Sequence, residues 1–153
     1  MMENKELTVK VKRLRDSVTM PFYATSGSAG LDLSADIDEA VTIKKGEIKM
    51  IPTGLAISIP TNEIGAFIFA RSGLAAKHGI CLANSVGVVD SDYRGEIKCA
   101  LINLGDKDFT IEKGDRIAQL VFMPVAIASL KEVDTLDETE RGAGGFGSTG
   151  VKK

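Results

Sequence analysis

Histidine and cysteine are scarce in this 153-residue chain: one histidine, His78, and two cysteines, Cys81 and Cys99. A zinc centre draws several such ligands at short, paired spacings, so zinc chemistry is excluded, and a disulfide framework with it. Both cysteines lie inside apolar runs and read as buried free thiols in a reducing compartment. An excess of charge of one sign is lacking too. The 19 basic and 21 acidic residues nearly cancel, which leaves no overall positive field for a nucleic-acid polymer, although a small anionic ligand stays open. Long apolar runs are missing: the longest stretch, 117–130, is broken by Gln119, Pro124 and Ser129, short of the roughly 18 apolar residues of a membrane span. The first residues, MMENKELTVKVKRLR, hold no apolar core and no small-residue cleavage pattern. These absences predict an intracellular, cytoplasmic protein that contacts neither membrane nor nucleic-acid polymer.

What is present is strand pattern. Residues 7–14 alternate apolar and polar side chains, and short β-rich runs follow at 40–43, 48–51, 55–59, 66–70, 96–103, 109–111 and 117–125, separated by turns containing Gly, Pro, Asp or Asn. Many short strands without intervening amphipathic helices predict an all-β fold, a sandwich, jelly roll or barrel. Ile43-Lys44-Lys45-Gly46-Glu47 is echoed by Ile111-Glu112-Lys113-Gly114-Asp115, each a polar turn leading into a strand. One short helix is expected over 72–78, with Ser72 as its N-cap and Gly79 as its stop. The chain divides into a β-rich domain, residues 1–133, and a tail, 134–153, with too little apolar area to fold alone.

Several segments offer chemistry. In the tail, Gly142 to Gly147 fits G-x-G-x-x-G, but no strand precedes it and no helix has room to follow, so a dinucleotide fingerprint is excluded. The same glycines with Ser148 and Thr149 present N–H and O–H donors suited to phosphate, Arg141 adds charge, and Phe146 offers a face for a base. An unliganded tail is the alternative. Arg71, Ser72 and Gly73 join a strand to the short helix and form a second phosphate candidate, against the alternative of a simple cap and a surface ion pair. Arg116 and Gln119, three residues apart, fall on opposite strand faces unless a bulge intervenes. The run NSVGVVDSDYRGE, 84–96, reads as a hairpin in which Asp90, directly after Val88 and Val89, is a candidate base held partly out of water. In the alternative reading Asp90 and Asp92 only shape the turn. His78, alone and at a helix end, supports no histidine mechanism, which leaves hydrolysis to carboxylates.

Taken in order, AGLDLSAD, ARSGLAAKHGI, GVVDSDYRGE, RIAQLVF and RGAGGFGSTG resemble the five motifs of the trimeric dUTP pyrophosphatase family, and they run from Ala29 to Gly150. The resemblance implies a jelly-roll-like fold, three equivalent subunits with active sites at their junctions, and Mg²⁺-dependent cleavage of dUTP to dUMP and pyrophosphate. That reaction limits uracil incorporation into DNA and supplies dUMP for thymidylate synthesis. By matching position, it implies that Asp90 activates the water attacking the α-phosphorus, Tyr93 packs against deoxyribose, and Asn84 reads uracil. Arg71, Ser72 and Gly73 would hold the phosphates and Gln119 the α-phosphate. Asp32 would act on Mg²⁺ through its hydration shell, the phosphates themselves ligating the ion. Arg141 with Gly147, Ser148 and Thr149 would close over the γ-phosphate, with Phe146 on the base. Ala70 stands where proline is usual and Val88-Val89 where bulkier aliphatics are usual; neither removes a reacting group. The competing readings are a dCTP deaminase, alone or bifunctional, against which the full glycine-rich arm argues, and a non-catalytic nucleotide sensor, which the intact Asp90 and Tyr93 disfavour.

Overall fold

The computed structural model describes residues 7–145. Short strands account for nearly all of its regular structure. In chain order these are β1 (Lys10–Arg13), β2 (Phe22–Tyr23), β3 (Leu31–Ser34), β4 (Val41–Ile43), β5 (Ile48–Pro52), β6 (Leu55–Ser58), β7 (Ile64–Ala70), the single helix α1 (Ser72–His78), β8 (Ile80–Leu82), β9 (Gly87–Val89), β10 (Lys98–Asn103), β11 (Phe109–Ile111) and β12 (Arg116–Pro124). The strand runs expected from alternation are all present, some trimmed, as β1 and β10 are, and others longer than expected, as β5 and β7 are. β2, β3, β8 and β9 are additions: each is two to four residues long, too short for a period to stand out.

All the pairings are antiparallel. The largest sheet runs β2-β3-β12-β7-β9, a second runs β5-β10-β8, and the pairs β1-β6 and β4-β11 complete a jelly-roll-like β sandwich. Leu33, Ile68 and Leu120 of the first sheet pack into one core with Ile51, Leu101 and Leu82 of the second, and Ile43 and Ile111 close it from the side. Because side chains alternate across a strand, each of these lies on an inward face while its neighbours point away. Asn103, fully buried at the end of β10, ties this core to the β4 side. Its amide donates to the carbonyls of Ile43 and Lys107, both at 2.8 Å, and its oxygen accepts from the Gly105 N–H at 2.9 Å. A buried amide with three partners costs little and fixes register.

The echoed pentads prove to be the same turn built twice. Lys44 N–H donates to the Glu47 carboxylate at 3.0 Å and Glu112 N–H to the Asp115 carboxylate at 2.8 Å. Gly46 and Gly114 take the left-handed conformation at φ 76° and 82°, which only glycine adopts without cost. The strands entering these turns, β4 and β11, pair with each other, so the echo is two equivalent corners of one sandwich.

Two local expectations are corrected. The helix begins at Ser72, so its N-cap is Arg71, at φ −84° and ψ 128°, and no side chain caps it; Gly79 stops it at φ 69° as expected. Residues 84–96 do not form a hairpin. β9 pairs with β7 in the large sheet, whereas the chain after Glu96 enters β10 in the other sheet, because Val89 and Cys99 reach the shared core from opposite sides. Cys99 is buried, and burial pushes its thiol up to about 12, while Cys81 is only half-buried; both are free. After β12 the chain from 126 to 143 is exposed and carries no regular structure. Among the described residues no helix is long and apolar enough to cross a membrane.

Candidate active site

The residues singled out by their chemistry gather in two places at opposite ends of β7. At the Ala70 end stands Asp32, 2 % exposed, surrounded by donors. Arg116 Nη1 donates to its Oδ2 at 2.9 Å, Arg71 Nε lies 3.6 Å from Oδ1, and Gln119 Nε2 makes a long contact to Oδ1 at 3.5 Å. Arg71 Nη1 also donates to the Arg116 carbonyl at 2.9 Å. The two guanidinium side chains are 27 % and 44 % exposed. They therefore cover the carboxylate and keep their outer edges open, as an anion clamp requires.

A bulge makes this cluster possible. Arg116 lies opposite Ser34 and Ala118 opposite Leu33, so β12 spends two residues against one of β3. The extra residue, Ile117, shifts the alternation by one and swings Arg116 onto the face of Gln119. Spacing alone puts the two on opposite faces; the bulge was the missing condition.

Ser72 and Gly73, both exposed, follow Arg71 at the start of α1. The Ser72 hydroxyl is not consumed as a cap, and a Cβ added at Gly73 would meet nothing within 4 Å. The strand-to-helix junction is thus open on its outer side, beside the arginine pair.

The second place is an open cleft of about 370 Å³ running along β9, the free edge of the large sheet, and lined among others by Asn84, Val88, Asp90, Tyr93 and Glu96. Asn84 sits in a tight turn that puts Ser85 at φ 63°, an uncommon conformation for a residue with a side chain. Asp90 leaves the end of β9, and its carbonyl accepts the Tyr93 N–H at 3.1 Å, closing the turn. Asp90 is exposed, so the partial burial expected from Val88 and Val89 is not found in this chain: Val89 points into the core, but Val88 is 64 % exposed. Tyr93 is 46 % exposed.

Register separates these two places. Val89 faces Ala66, which sets Asp90 level with Gly65 at the start of β7. Arg71 follows the last residue of the same strand, six steps away, or roughly 20 Å at about 3.3 Å per residue. Within one chain Asp90 and Arg71 are too far apart to act on one phosphorus atom.

Arg141 donates from Nε to the Gly144 carbonyl at 2.7 Å, inside a turn that Gly142 and Thr139 also tie. Phe146, Gly147, Ser148 and Thr149 lie outside the described residues. Among the described residues no three of His, Cys, Asp or Glu cluster as a metal cage. The carboxylates of Asp32 and Asp90 are hard oxygen donors, of the kind Mg²⁺ takes directly or through water.

Sequence reasoning missed the role of Arg116 as a partner of Asp32, and the place of Glu96 in the cleft wall. For Arg116 the signal was its three-residue distance from Gln119, which made sense only with a bulge.

The chain is similar to known proteins in both sequence and fold. The dUTPase family model matches residues 16–150. A deoxyuridine 5'-triphosphate nucleotidohydrolase of Desulfitobacterium hafniense is 57 % identical over 148 residues, covering 94 % of this chain and 98 % of that protein. The dUTPase of Staphylococcus bacteriophage 80alpha, solved with dUPNHPP, superposes with a TM-score of 0.85 at 29 % identity, covering 94 % of this chain and 99 % of that one. A mutant dUTPase from phage phi11 of S. aureus, whose structure describes the coordination of a structural Mg(II) ion, gives 0.74 at 25 % identity, covering 84 % and 97 %. A family match across most of the sequence, joined to relatives of this identity and coverage, means that the chain belongs to the dUTPase family.

Proposed function

We infer that this chain is a dUTP diphosphatase, hydrolysing dUTP to dUMP and pyrophosphate, and that the two half-sites at the ends of β7 work together across copies of the chain. The observation that carries the reading is the cleft in which Asn84, Asp90 and Tyr93 face one open volume on a single segment, in a chain of the dUTPase family. The related phage enzyme solved with dUPNHPP, a dUTP analogue, supports the choice of substrate.

In the mechanism we assign, the Asp90 carboxylate takes a proton from water as the water oxygen bonds to the α-phosphorus. The bond from that phosphorus to the bridging oxygen breaks, and pyrophosphate leaves. Tyr93 lies against deoxyribose where a 2′-hydroxyl would stand. The Asn84 amide, with neighbouring backbone groups, pairs the edge of uracil; cytosine reverses the polarity at N3 and C4 and leaves those partners unpaired. Arg71, Ser72, Gly73 and Gln119 hold the phosphates, Gln119 at the α-phosphate. Asp32 anchors this clamp by fixing Arg71 and Arg116, and it would help hold a metal ion through that ion's hydration shell. A Mg²⁺ ion held near Asp32 would supply positive charge against that building on the leaving pyrophosphate.

The roughly 20 Å along β7 supports a homotrimer in which the Asp90 end of one subunit meets the Arg71 end of another. It also gives the tail a purpose. Residues 134–153 act as an arm apart from the β domain of residues 1–133. Arg141, Gly147, Ser148 and Thr149 close on the γ-phosphate and Phe146 covers the base, shutting out bulk water.

Product analysis tests the reading. Purified protein with Mg²⁺ is given dUTP, dCTP, UTP or dTTP in separate reactions while nucleotides, pyrophosphate and ammonia are followed. The reading requires dUMP and pyrophosphate from dUTP alone. Ammonia from dCTP, or no turnover of dUTP, would contradict it.

A further inference from the structure

Tyr93 sits on an exposed loop, yet it is fastened at both ends. Its N–H donates to the Asp90 carbonyl, and its hydroxyl donates to the Glu96 carbonyl at 3.0 Å, which lays the ring across Gly95. A Cβ on Gly95 would stand 2.4 Å from Tyr93 Oη and 2.6 Å from Cζ. Only glycine at 95 leaves the ring where it is.

Glu96 is fastened in turn. Its Oε1 accepts the Gly54 N–H at 2.9 Å and Arg15 Nη2 at 2.6 Å. Arg15 Nε pairs with the buried Asp36 carboxylate, whose other oxygen accepts the Ser17 hydroxyl at 2.7 Å. The clasp closes directly on backbone: a Cβ at Gly54, itself at φ 68°, would lie 2.7 Å from Asp36 Oδ2 and 2.2 Å from Val18 Cγ2. Glu96 lines both the nucleotide cleft and the adjoining hollow that holds Arg15 and Asp36. It is the wall between them.

A steric gate against one added hydroxyl works only if it cannot retreat. An apolar surface rejects an extra hydroxyl weakly, and a ring on a soft loop yields at small cost. We propose that Gly95, Glu96, Arg15 and Asp36 are positioning residues for sugar discrimination, holding the Tyr93 ring rigid against the 2′ carbon without touching the reacting atoms. The proposal rests on the assignment of Tyr93 to deoxyribose. If the clasp served stability alone, its loss would lower the melting temperature and leave the choice of sugar unchanged.

The test is kcat/KM for dUTP and for UTP, with melting temperature in parallel, in the full chain with Mg²⁺, for wild type, Tyr93→Ala, Gly95→Ala, Arg15→Met and Glu96→Gln. Gly95→Ala is expected to cut the preference for dUTP over UTP about tenfold, mostly through a gain with UTP, and Arg15→Met about threefold. Glu96→Gln keeps an acceptor for Gly54 and is expected to retain most of the preference. Should Arg15→Met fail to fold, Gly95→Ala, on an exposed loop, decides alone. An unchanged preference in Gly95→Ala beside a collapsed one in Tyr93→Ala overturns the proposal and leaves the assignment of Tyr93 standing. An unchanged preference in Tyr93→Ala overturns both.

Discussion

Asp32 is 2 % exposed between two strands, whereas Asp90 leaves the free end of an edge strand and is exposed. The first carboxylate meets donors from Arg71, Arg116 and Gln119 of the same chain; the second faces an open cleft. The Arg71 end is thus assembled as soon as the sheet folds, since β3, β7 and β12 are neighbours in it. The Asp90 end hangs on a segment that crosses between sheets and has a wall on one side only. The contrast teaches that the stiff charge clamp and the carboxylate we propose as base belong to different structural problems. Strand register solves the first, and assembly between subunits, in our proposal, solves the second.

The largest expected effect breaks the open half. Asp90→Asn keeps the size of the side chain and the turn, so folding and nucleotide binding should persist while kcat falls about 10²-fold or more, as for loss of a positioned general base. Wild-type turnover would remove Asp90 from the role of base. A smaller effect is expected from the preassembled half. Asp32→Asn sets an amide NH₂ against a guanidinium, donor against donor, and frees the arginines to wander. With both arginines partly exposed and solvated, kcat/KM for dUTP should drop about tenfold. A loss as deep as that of Asp90→Asn would show that Asp32 acts on the reacting centre itself.

The least effect concerns the clasp behind Tyr93, through pH. Burial works against ionised Asp36, but the Ser17 hydroxyl and the Arg15 guanidinium outweigh it and hold this carboxyl below the ordinary aspartate range. A value depressed in the folded chain contributes stability that is present above the unfolded pKa, about 3.9, and is lost as pH falls through the folded one. The melting temperature of wild type should therefore fall more steeply between about pH 5 and about pH 2 than that of Asp36→Asn. Equal slopes would deny the clasp its charge.

Much of this was legible in the residues. Alternation located the longer strands, and the small-residue run ending at Gly79 located α1, because both signals are local. Partners are not local. The hairpin expected over 84–96 failed because an apolar run before a polar turn does not say which strand will pair with it, and β7 takes it. The bulge at Ile117 follows from how β12 must fit β3, and nothing in RIAQLVF announces it. Asp32 showed only as part of a family motif: in LDLS the acidic residue breaks the apolar pattern, so neither its strand nor its partners could be read from propensity. The exposure of Asp90 has the same origin, since Val88 turns outward on β9 only because of how that strand pairs with β7.

Complementation between two inactive variants tests the shared site most directly. Asp90→Asn and Arg71→Ala chains, each purified, are unfolded together in equal amounts, refolded, and assayed for dUMP formation against each variant refolded alone. If every site takes Asp90 from one subunit and Arg71 from another, random assembly restores about a quarter of wild-type activity. Activity no greater than the sum of the two variants alone would mean that both ends of the site come from one chain.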